Sequence, residues 1–174
     1  MITTASESAT WQMTRSKTTP SIAEILTPDR VAIAIQVSSK KRLLEEIARL
    51  FTVDNSQLNK ETVFQVLCER ERLGSTGIGG SVALPHGRVN GLESALAVAA
   101  TLKSPLDYDT IDHQPVNIVF GLLVPAEAKE EHLRILAHLA RMFSDEQLKQ
   151  NILNVETSAE AYEKLSHWQS EDKF

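Results

Sequence analysis

One segment of this 174-residue chain gathers the residue types best suited to chemistry. Residues 70–89, "RERLGSTGIGGSVALPHGRV", contain five of the seven glycines and place His86 directly after a proline. Glycine adopts positive φ readily and lets backbone N–H groups approach a ligand closely, so a glycine-rich loop can hold an anion such as phosphate. A tight connection between a helix and a strand would also use these glycines, and the residues alone leave both interpretations open.

The glycine spacing does not fit the known nucleotide-binding motifs. Residues 74–81, "GSTGIGGS", have the spacing of a Walker A loop, but Gly80 stands where that motif requires its lysine. Residues 77–82, "GIGGSV", have Val82 where the dinucleotide fingerprint requires its third glycine, and they follow a helical pattern instead of a strand. We therefore predict that this loop binds no nucleotide.

Two side chains of the segment could act on a bound anion. Pro85 ends the short strand pattern "SVALP" and fixes the backbone before His86, although a single histidine can also be purely structural. On a helical wheel Arg70 lies on the packed side of its helix, whereas Arg72 lies on the solvated side. Glu71 also falls near the packed side, so an internal ion pair between Arg70 and Glu71 is the alternative interpretation.

The other histidines and the cysteine do not form a metal-binding pattern. His132 lies early in a helical pattern, at the edge of its apolar stripe, where it could face a cleft. His138 lies about 120° further round that helix, so the two histidines cannot form the i,i+4 pair that binds zinc. Cys68 is the only cysteine. We therefore predict no metal site.

Composition and charge limit the class of protein. Hydrophobic residues make up 42% of the chain and charged residues 24%, and the formal net charge is −5. These values are typical of a globular domain and argue against nucleic acid as a partner. No apolar run approaches the roughly 20 residues of a membrane helix, and the single cysteine fits a reducing compartment. We predict a cytoplasmic protein without membrane insertion, with a folded domain at residues 21–168 between a flexible N-terminal tail (1–20) and a C-terminal tail (169–174).

The elements that position the candidate residues alternate between strand and helix. Apolar runs predict strands at residues 31–37, 81–85, 94–102 and 116–125. Helical spacing predicts helices at residues 40–51, 60–73, 126–143, 145–153 and 158–168, the first capped by Ser38 or Ser39 and the second ended by Gly74. Strands this apolar need cover on both faces. The predicted fold class is therefore α/β: a three-layer α/β/α sandwich with a mixed central sheet of about four or five strands and helices on both faces.

The segment at residues 70–89 closely resembles the signature of the type-2 EIIA domains of the phosphoenolpyruvate-dependent phosphotransferase system, the fructose/mannitol class. Two longer stretches, "VFQVLCERERLGSTGIG" and "DHQPVNIVFGLLVPAEAKEEHLRIL", resemble the nitrogen-regulatory branch of that family, over about residues 21–168. The resemblance implies an intracellular phosphocarrier with an α/β sandwich fold. It further implies that His86 accepts the phosphoryl group and that Arg70 and His132 support it.

The resemblance also implies a mechanism and partners. His86 would accept a phosphoryl group from an HPr/NPr-like phosphohistidine protein, without a nucleotide or any other cofactor. Arg70 and the loop would neutralise the phosphoryl oxygens; the predicted phosphate-binding residues are Ser75, Thr76, Gly77, Gly79 and Gly80, although the first two could instead cap the turn. The regulatory branch would control target proteins such as potassium-transport regulators or sensor kinases.

Other functions remain open at this stage. A sugar-specific EIIA would pass the phosphoryl group to a separate EIIB protein, and a non-catalytic binding module would accept none. A hydrolase using Ser75 or Ser81 is disfavoured, because "GGSVA" lacks the glycine that follows the serine in a nucleophile elbow. The loop also departs from the family at Gly80-Ser81, where Asn-Gly is usual, which puts in doubt any role for that amide side chain.

Overall fold

A six-stranded mixed sheet forms the centre of the computed structural model, which describes residues 19–169. Most of the two predicted tails, residues 1–18 and 170–174, lies outside the described residues. The elements in chain order are α1 Ile22–Ile25, a 3-10 helix Pro28–Arg30, β1 Val31–Ile35, α2 Lys40–Thr52, α3 Lys60–Arg72, β2 Gly77–Gly79, β3 Val82–Ala83, β4 His86–Val89, β5 Leu96–Leu106, β6 Val116–Pro125, α4 Lys129–Met142, α5 Glu146–Leu153 and α6 Ser158–Ser166.

Strand β6 is the centre of the sheet. It pairs antiparallel with β5 on one side and parallel with both β3 and β4 on the other, and the strand order is β1-β5-β6-β3-β2. The fold class is confirmed, but the sheet has six strands instead of four or five. The additional strands come from the glycine segment, which supplies the short strands β2, β3 and β4 where the sequence indicated a single one. Their length, two to four residues, is too short for a periodic signal.

Helices cover both faces of the sheet, as the apolar strands require. Helices α2 and α3 pack on one face, where Leu43, Ile47 and Phe51 are fully buried. Helices α1, α4, α5 and α6 pack on the other face, around a core that includes Phe120 and Leu139. The sheet is therefore the middle layer of a three-layer sandwich.

Side-chain caps fix where the helices begin. Ser39 accepts the N–H of Arg42 and starts α2, which settles the choice between Ser38 and Ser39. Asn59 accepts two N–H groups at the start of α3. Helix α3 ends at Arg72, and Gly74 follows with φ of +152°, a conformation that glycine adopts without strain. Asn59 and Gly74 thus mark the two ends of α3, whose last turn contains Arg70.

Candidate functional site

Three side chains from three separate elements meet at one end of β4. His86 is the first residue of β4, Arg70 lies in the last turn of α3 and His132 lies in the first turn of α4. The Nε–H of Arg70 donates to Nε2 of His86 over 3.2 Å. The imidazole rings of His86 and His132 stand edge to face, with centroids 5.2 Å apart. The structure thus brings together the three residues predicted to be catalytic.

The surroundings of His86 define its tautomer and charge. Its Nδ1 lies 2.6 Å from the carbonyl oxygen of Leu84, so Nδ1 carries the proton and donates it to that oxygen. Nε2 is then left with a lone pair, which faces Arg70. Burial lowers the pKa of His86; the Arg70 cation lowers it further, against the opposing effects of the Leu84 carbonyl and Glu71. His86 is therefore a neutral imidazole whose Nε2 is available as a nucleophile.

Gly87 allows α3 to lie close enough to β4 for Arg70 to reach His86. A Cβ on Gly87 would lie 2.3 Å from Cγ1 of Val66, one turn before Arg70 on α3. Only a residue without a side chain permits this approach of helix to strand. This role was not found from the sequence, because the partner of Gly87 is a helix residue that local spacing cannot identify.

His132 has an unsatisfied ring nitrogen beside His86. Its Nε2 is buried and has no hydrogen-bond partner among the described residues. Burial, followed by electrostatic repulsion from His86 when that ring is protonated and from Arg88 and Arg70, lowers its pKa to about 4. A buried nitrogen without a partner is costly unless a ligand satisfies it. His132 therefore places an unpartnered ring nitrogen beside His86, with the two ring centroids 5.2 Å apart.

These residues line an open cleft of about 690 Å³. Two further cations, Arg88 and Lys129, and one carboxylate, Glu69, line it, so cations outnumber anions there although the chain carries a net charge of −5. Two leucines at the cleft are exposed to an unusual degree, Leu73 at 85% and Leu133 at 68%. Positive charge favours an anion in the cleft, and exposed leucines beside it favour contact with another macromolecule.

The predicted phosphate-binding loop lies elsewhere. Its N–H groups donate to acceptors within the chain: Thr76 to Glu71 over 3.0 Å, Gly77 to the Ser75 hydroxyl over 3.1 Å, and Gly80 to Asp112 over 2.9 Å. None of the five predicted residues lines the cleft of His86. The sequence placed them there because they are near His86 along the chain, but the β2–β3 hairpin turns them away. The structure therefore gives no support to a phosphate cradle formed by Ser75, Thr76, Gly77, Gly79 and Gly80.

The hairpin also explains the departure of Gly80-Ser81 from the family pattern. Both residues have positive φ, +63° and +68°, as a two-residue type I′ turn between β2 and β3 requires. Asn-Gly is the preferred pair for such a turn, so the usual pair and Gly80-Ser81 serve the same backbone geometry. The buried ammonium of Lys149 donates to the Gly80 carbonyl over 3.0 Å and would lie 2.7 Å from a Cβ at that position. Glycine at residue 80 therefore leaves room for the Lys149 ammonium beside the turn.

Glu71 does not form the internal pair with Arg70 that the sequence left open. Its carboxylate lies 2.6 Å from Nζ of Lys40, while Arg70 donates through Nη1 to the carbonyl of Gly74 over 2.9 Å. Arg70 is therefore free of a carboxylate partner among the described residues and can serve an anion in the cleft.

Metal-binding and membrane-spanning features are missing from the described part of the chain. Within residues 19–169, no group of three His, Cys, Asp or Glu side chains is placed to hold a metal ion. No helix in the same range has the length and apolar character needed to cross a bilayer.

A family model and several known proteins match this chain. The model, described as "Phosphoenolpyruvate-dependent sugar phosphotransferase system, EIIA 2", matches residues 24–168. The nitrogen regulatory protein of Pseudomonas aeruginosa is 37% identical over 142 residues, which cover 82% of this chain and 92% of that protein. The Escherichia coli nitrogen regulatory protein is 34% identical over 152 residues, covering 87% of this chain and 93% of that protein.

A solved structure gives the same assignment. The crystal structure of the nitrogen regulatory protein IIA-Ntr from Neisseria meningitidis is 39% identical and has a TM-score of 0.77, covering 83% of this chain and 98% of that one. The match with the family model spans nearly the whole described range, including Arg70, His86 and His132. The chain therefore belongs to the EIIA type-2 family of the phosphoenolpyruvate-dependent phosphotransferase system and is similar to its nitrogen-regulatory members.

Proposed function

We propose that this protein is a cytoplasmic phosphocarrier that accepts a phosphoryl group on His86 from an HPr-like phosphohistidine protein and controls partner proteins through its phosphorylation state. The observation that carries the proposal is the placement of Nε2 of His86, whose lone pair lies in a cationic cleft between Arg70 and His132. Leu84 fixes this placement, because its carbonyl holds the proton on the other ring nitrogen.

The transfer is a displacement between two imidazoles. Nε2 of His86 attacks the phosphorus of the donor phosphohistidine; the new N–P bond forms as the donor N–P bond breaks, and the departing nitrogen keeps the electron pair. No proton has to leave His86, since Nε2 is unprotonated in this tautomer. The ring gains positive charge as the bond forms, and the Leu84 carbonyl at Nδ1–H stabilises that charge.

Arg70 has to move slightly for this attack. Its Nε–H covers the lone pair of Nε2, so that hydrogen bond passes from the nitrogen to a phosphoryl oxygen as the donor enters. The bond from Nη1 to the Gly74 carbonyl keeps the guanidinium beside His86 during the exchange. His132 is placed to contact the same phosphoryl group, and Arg88 and Lys129 add positive charge around it.

Regulation follows from the change of charge. A phosphoryl group adds roughly two negative charges. This would offset most of the positive charge of a cleft lined by Arg70, Arg88 and Lys129 and by one carboxylate, Glu69. The exposed leucines at the cleft then border a surface of different charge in the two states, so different partners can be selected. Similarity to nitrogen regulatory proteins supports this regulatory role over transfer to a sugar-specific EIIB. Potassium-transport regulators and sensor kinases are the classes of target to test.

A labelling experiment tests the acceptor. The protein is incubated with Enzyme I, an HPr-type carrier and labelled phosphoenolpyruvate, and acid-labile, base-stable label is expected on the wild type but not on His86→Ala. His138→Ala is the matched control, because its ring packs on Trp168 away from the cleft, and it should be labelled normally. Absence of label on the wild type, with an HPr-type carrier shown to be phosphorylated, would contradict the proposal.

A further inference from the structure

The carboxylate of Glu71, which follows Arg70 in the last turn of α3, is buried and is bonded to residues other than His86. The side chain of Glu71 is 8% exposed, and its Oε1 lies 2.6 Å from Nζ of Lys40. It accepts the backbone N–H of Thr76 over 3.0 Å and the Thr76 hydroxyl over 2.6 Å. Glu71 does not line the cleft. A charge buried in this way is costly unless every bond is made, so its position calls for an explanation.

The remaining bonds of Glu71 make a closed network. The hydroxyl of Tyr108 donates to Oε2 of Glu71 over 3.3 Å and lies 3.0 Å from the Thr76 hydroxyl. Lys40 lies over the Tyr108 ring, 4.4 Å from its centroid, and donates to the Tyr108 carbonyl over 3.3 Å. The network ties helices α2 and α3 and the β5–β6 connection to the start of the glycine segment. Satisfied networks of this kind hold their members rigidly.

The network reaches the active histidine through one carbonyl. The chain leaves α3 after Arg72 and reaches Thr76 in four residues, with Gly74 between them. Glu71 fixes Thr76 at the far side of this connection, and the helix fixes the near side. The Gly74 carbonyl is thereby held where it accepts Nη1 of Arg70 over 2.9 Å, and the same guanidinium donates from Nε to His86.

We propose that Glu71 is a positioning residue for phosphoryl transfer: by holding Thr76 it fixes the Gly74 carbonyl, and that carbonyl orients the Arg70 guanidinium on His86. The inference rests on the proposed phosphocarrier function, since it assigns to the same reaction a residue that acts through Arg70. Lys40 and Tyr108 serve it by compensating the buried charge of Glu71.

Direct and indirect effects of Glu71 on His86 have opposite signs. As a nearby negative charge, Glu71 raises the pKa of His86, while the Arg70 cation lowers it. If Glu71 acts only through space, Glu71→Gln should lower the pKa of His86 and leave the transfer rate unchanged. If Glu71 positions Arg70, the same change should also loosen the guanidinium, whose effect on the pKa of His86 is larger than that of Glu71, so the pKa should rise and transfer should slow.

The experiment measures both quantities in the full-length protein. The pKa of His86 comes from an NMR titration of its ring, and the initial labelling rate comes from the phosphoenolpyruvate assay. Glu71→Gln is expected to raise that pKa and to slow labelling at least about tenfold, because small displacements of a positioning group are costly. Glu61→Gln, the same chemical change on an exposed residue of α3, should match the wild type. A pKa of His86 that falls or stays, together with labelling at the wild-type rate, overturns the proposal.

Two further variants separate the possible failures. In an Arg70→Ala background there is no guanidinium to position, so adding Glu71→Gln should lower the pKa of His86; a rise there would contradict the mechanism. If Glu71→Gln alone does not fold, the double variant Lys40→Met/Glu71→Gln removes both members of the ion pair, and the same rise in pKa is expected. Failure of the wild type to accept label disproves the phosphocarrier function, whereas the titration still shows whether Glu71 acts through Arg70.

Discussion

The Nε–H of Arg70 lies 3.2 Å from Nε2 of His86, so the nitrogen proposed to attack phosphorus is covered by a cation in the unphosphorylated protein. The same guanidinium is tied through Nη1 to the Gly74 carbonyl. When the hydrogen bond from Arg70 to His86 breaks, the bond to the Gly74 carbonyl therefore keeps the guanidinium beside the entering phosphoryl group. A planar guanidinium with several donors can make both contacts at once, whereas the single ammonium of lysine cannot reproduce their geometry.

Arg70→Ala is expected to slow labelling of His86 by about 10²-fold, the typical effect of losing one donor that stabilises transition-state charge. Arg70→Lys should also slow labelling, because an ammonium keeps the positive charge but cannot make both hydrogen bonds of the planar guanidinium. The pKa of His86 should rise in Arg70→Ala, since the cation is one of the causes that lower it. Initial labelling rates and an NMR titration measure these effects. Arg72→Ala, on the exposed side of α3, is the control; normal labelling of a folded Arg70→Ala would disprove the assigned role.

Gly87→Ala should damage the site without touching its functional groups. The added Cβ would lie 2.3 Å from Val66 Cγ1, so α3 has to move away from β4 and carry Arg70 with it. We expect a loss of about 1–3 kcal/mol in the free energy of unfolding, typical of overpacking, together with slower labelling.

The matched test of this steric cause is the double variant Val66→Ala/Gly87→Ala. Removing the valine methyl groups makes room for the new Cβ, so labelling should recover most of the way, while Val66→Ala alone should label close to the wild-type rate. Denaturant unfolding and labelling rates are compared across the set. Labelling that stays slow in the double variant would contradict the explanation through helix approach.

The sequence predicted elements whose signals are long and local. The apolar run of β6 and the periodic faces of the helices matched the structure closely, whereas β5 was predicted at residues 94–102 and continues to Leu106. The short strand β4 was not predicted, because its four residues "HGRV" pair with β6 through backbone contacts that no local pattern shows. Arg30 was missed for a similar reason: it is buried by Asp54 and by the carbonyls of Ile25 and Ala97, the last of them 67 residues away.

The same distinction explains the site. His86 stands out in sequence because of its glycine-rich surroundings, and the helical wheel pointed Arg70 inward. The acceptors that occupy the loop were invisible, because Asp112 lies 32 residues from Gly80 and Lys149 lies 69 residues from it. Gly79 and Gly80, which the sequence predicted to bind phosphate, therefore form part of the turn of a hairpin. Gly87, to which the sequence analysis gave no role, instead allows the close packing of α3 on β4.

The stability of the protein should depend on pH through His132. Burial lowers its pKa from 6.5 to about 4 in the folded protein, so between these values the unfolded chain binds the proton more readily. The free energy of unfolding should therefore be highest, as far as His132 determines it, above about pH 6.5, and it should fall as the pH decreases toward 4. His86, with its pKa also lowered, acts in the same direction. Urea midpoints across this range measure the slope, which His132→Gln should flatten; an unchanged slope in that variant would rule out His132 as a source.

Ser81→Gly should stabilise the protein without affecting transfer. Ser81 has φ of +68° in the hairpin turn, a conformation that costs a residue with a side chain about 1–2 kcal/mol. Glycine removes that cost but loses more chain entropy on folding, so a net gain of up to about 1 kcal/mol in unfolding free energy is expected. Ser166→Gly, at the end of helix α6, should instead destabilise the chain. Because Ser81 does not line the cleft, the labelling rate of Ser81→Gly should equal that of the wild type. A changed rate in this more stable variant would mean that the hairpin takes part in phosphoryl transfer, and the glycine loop would regain the role in phosphate binding that its hydrogen bonds argue against.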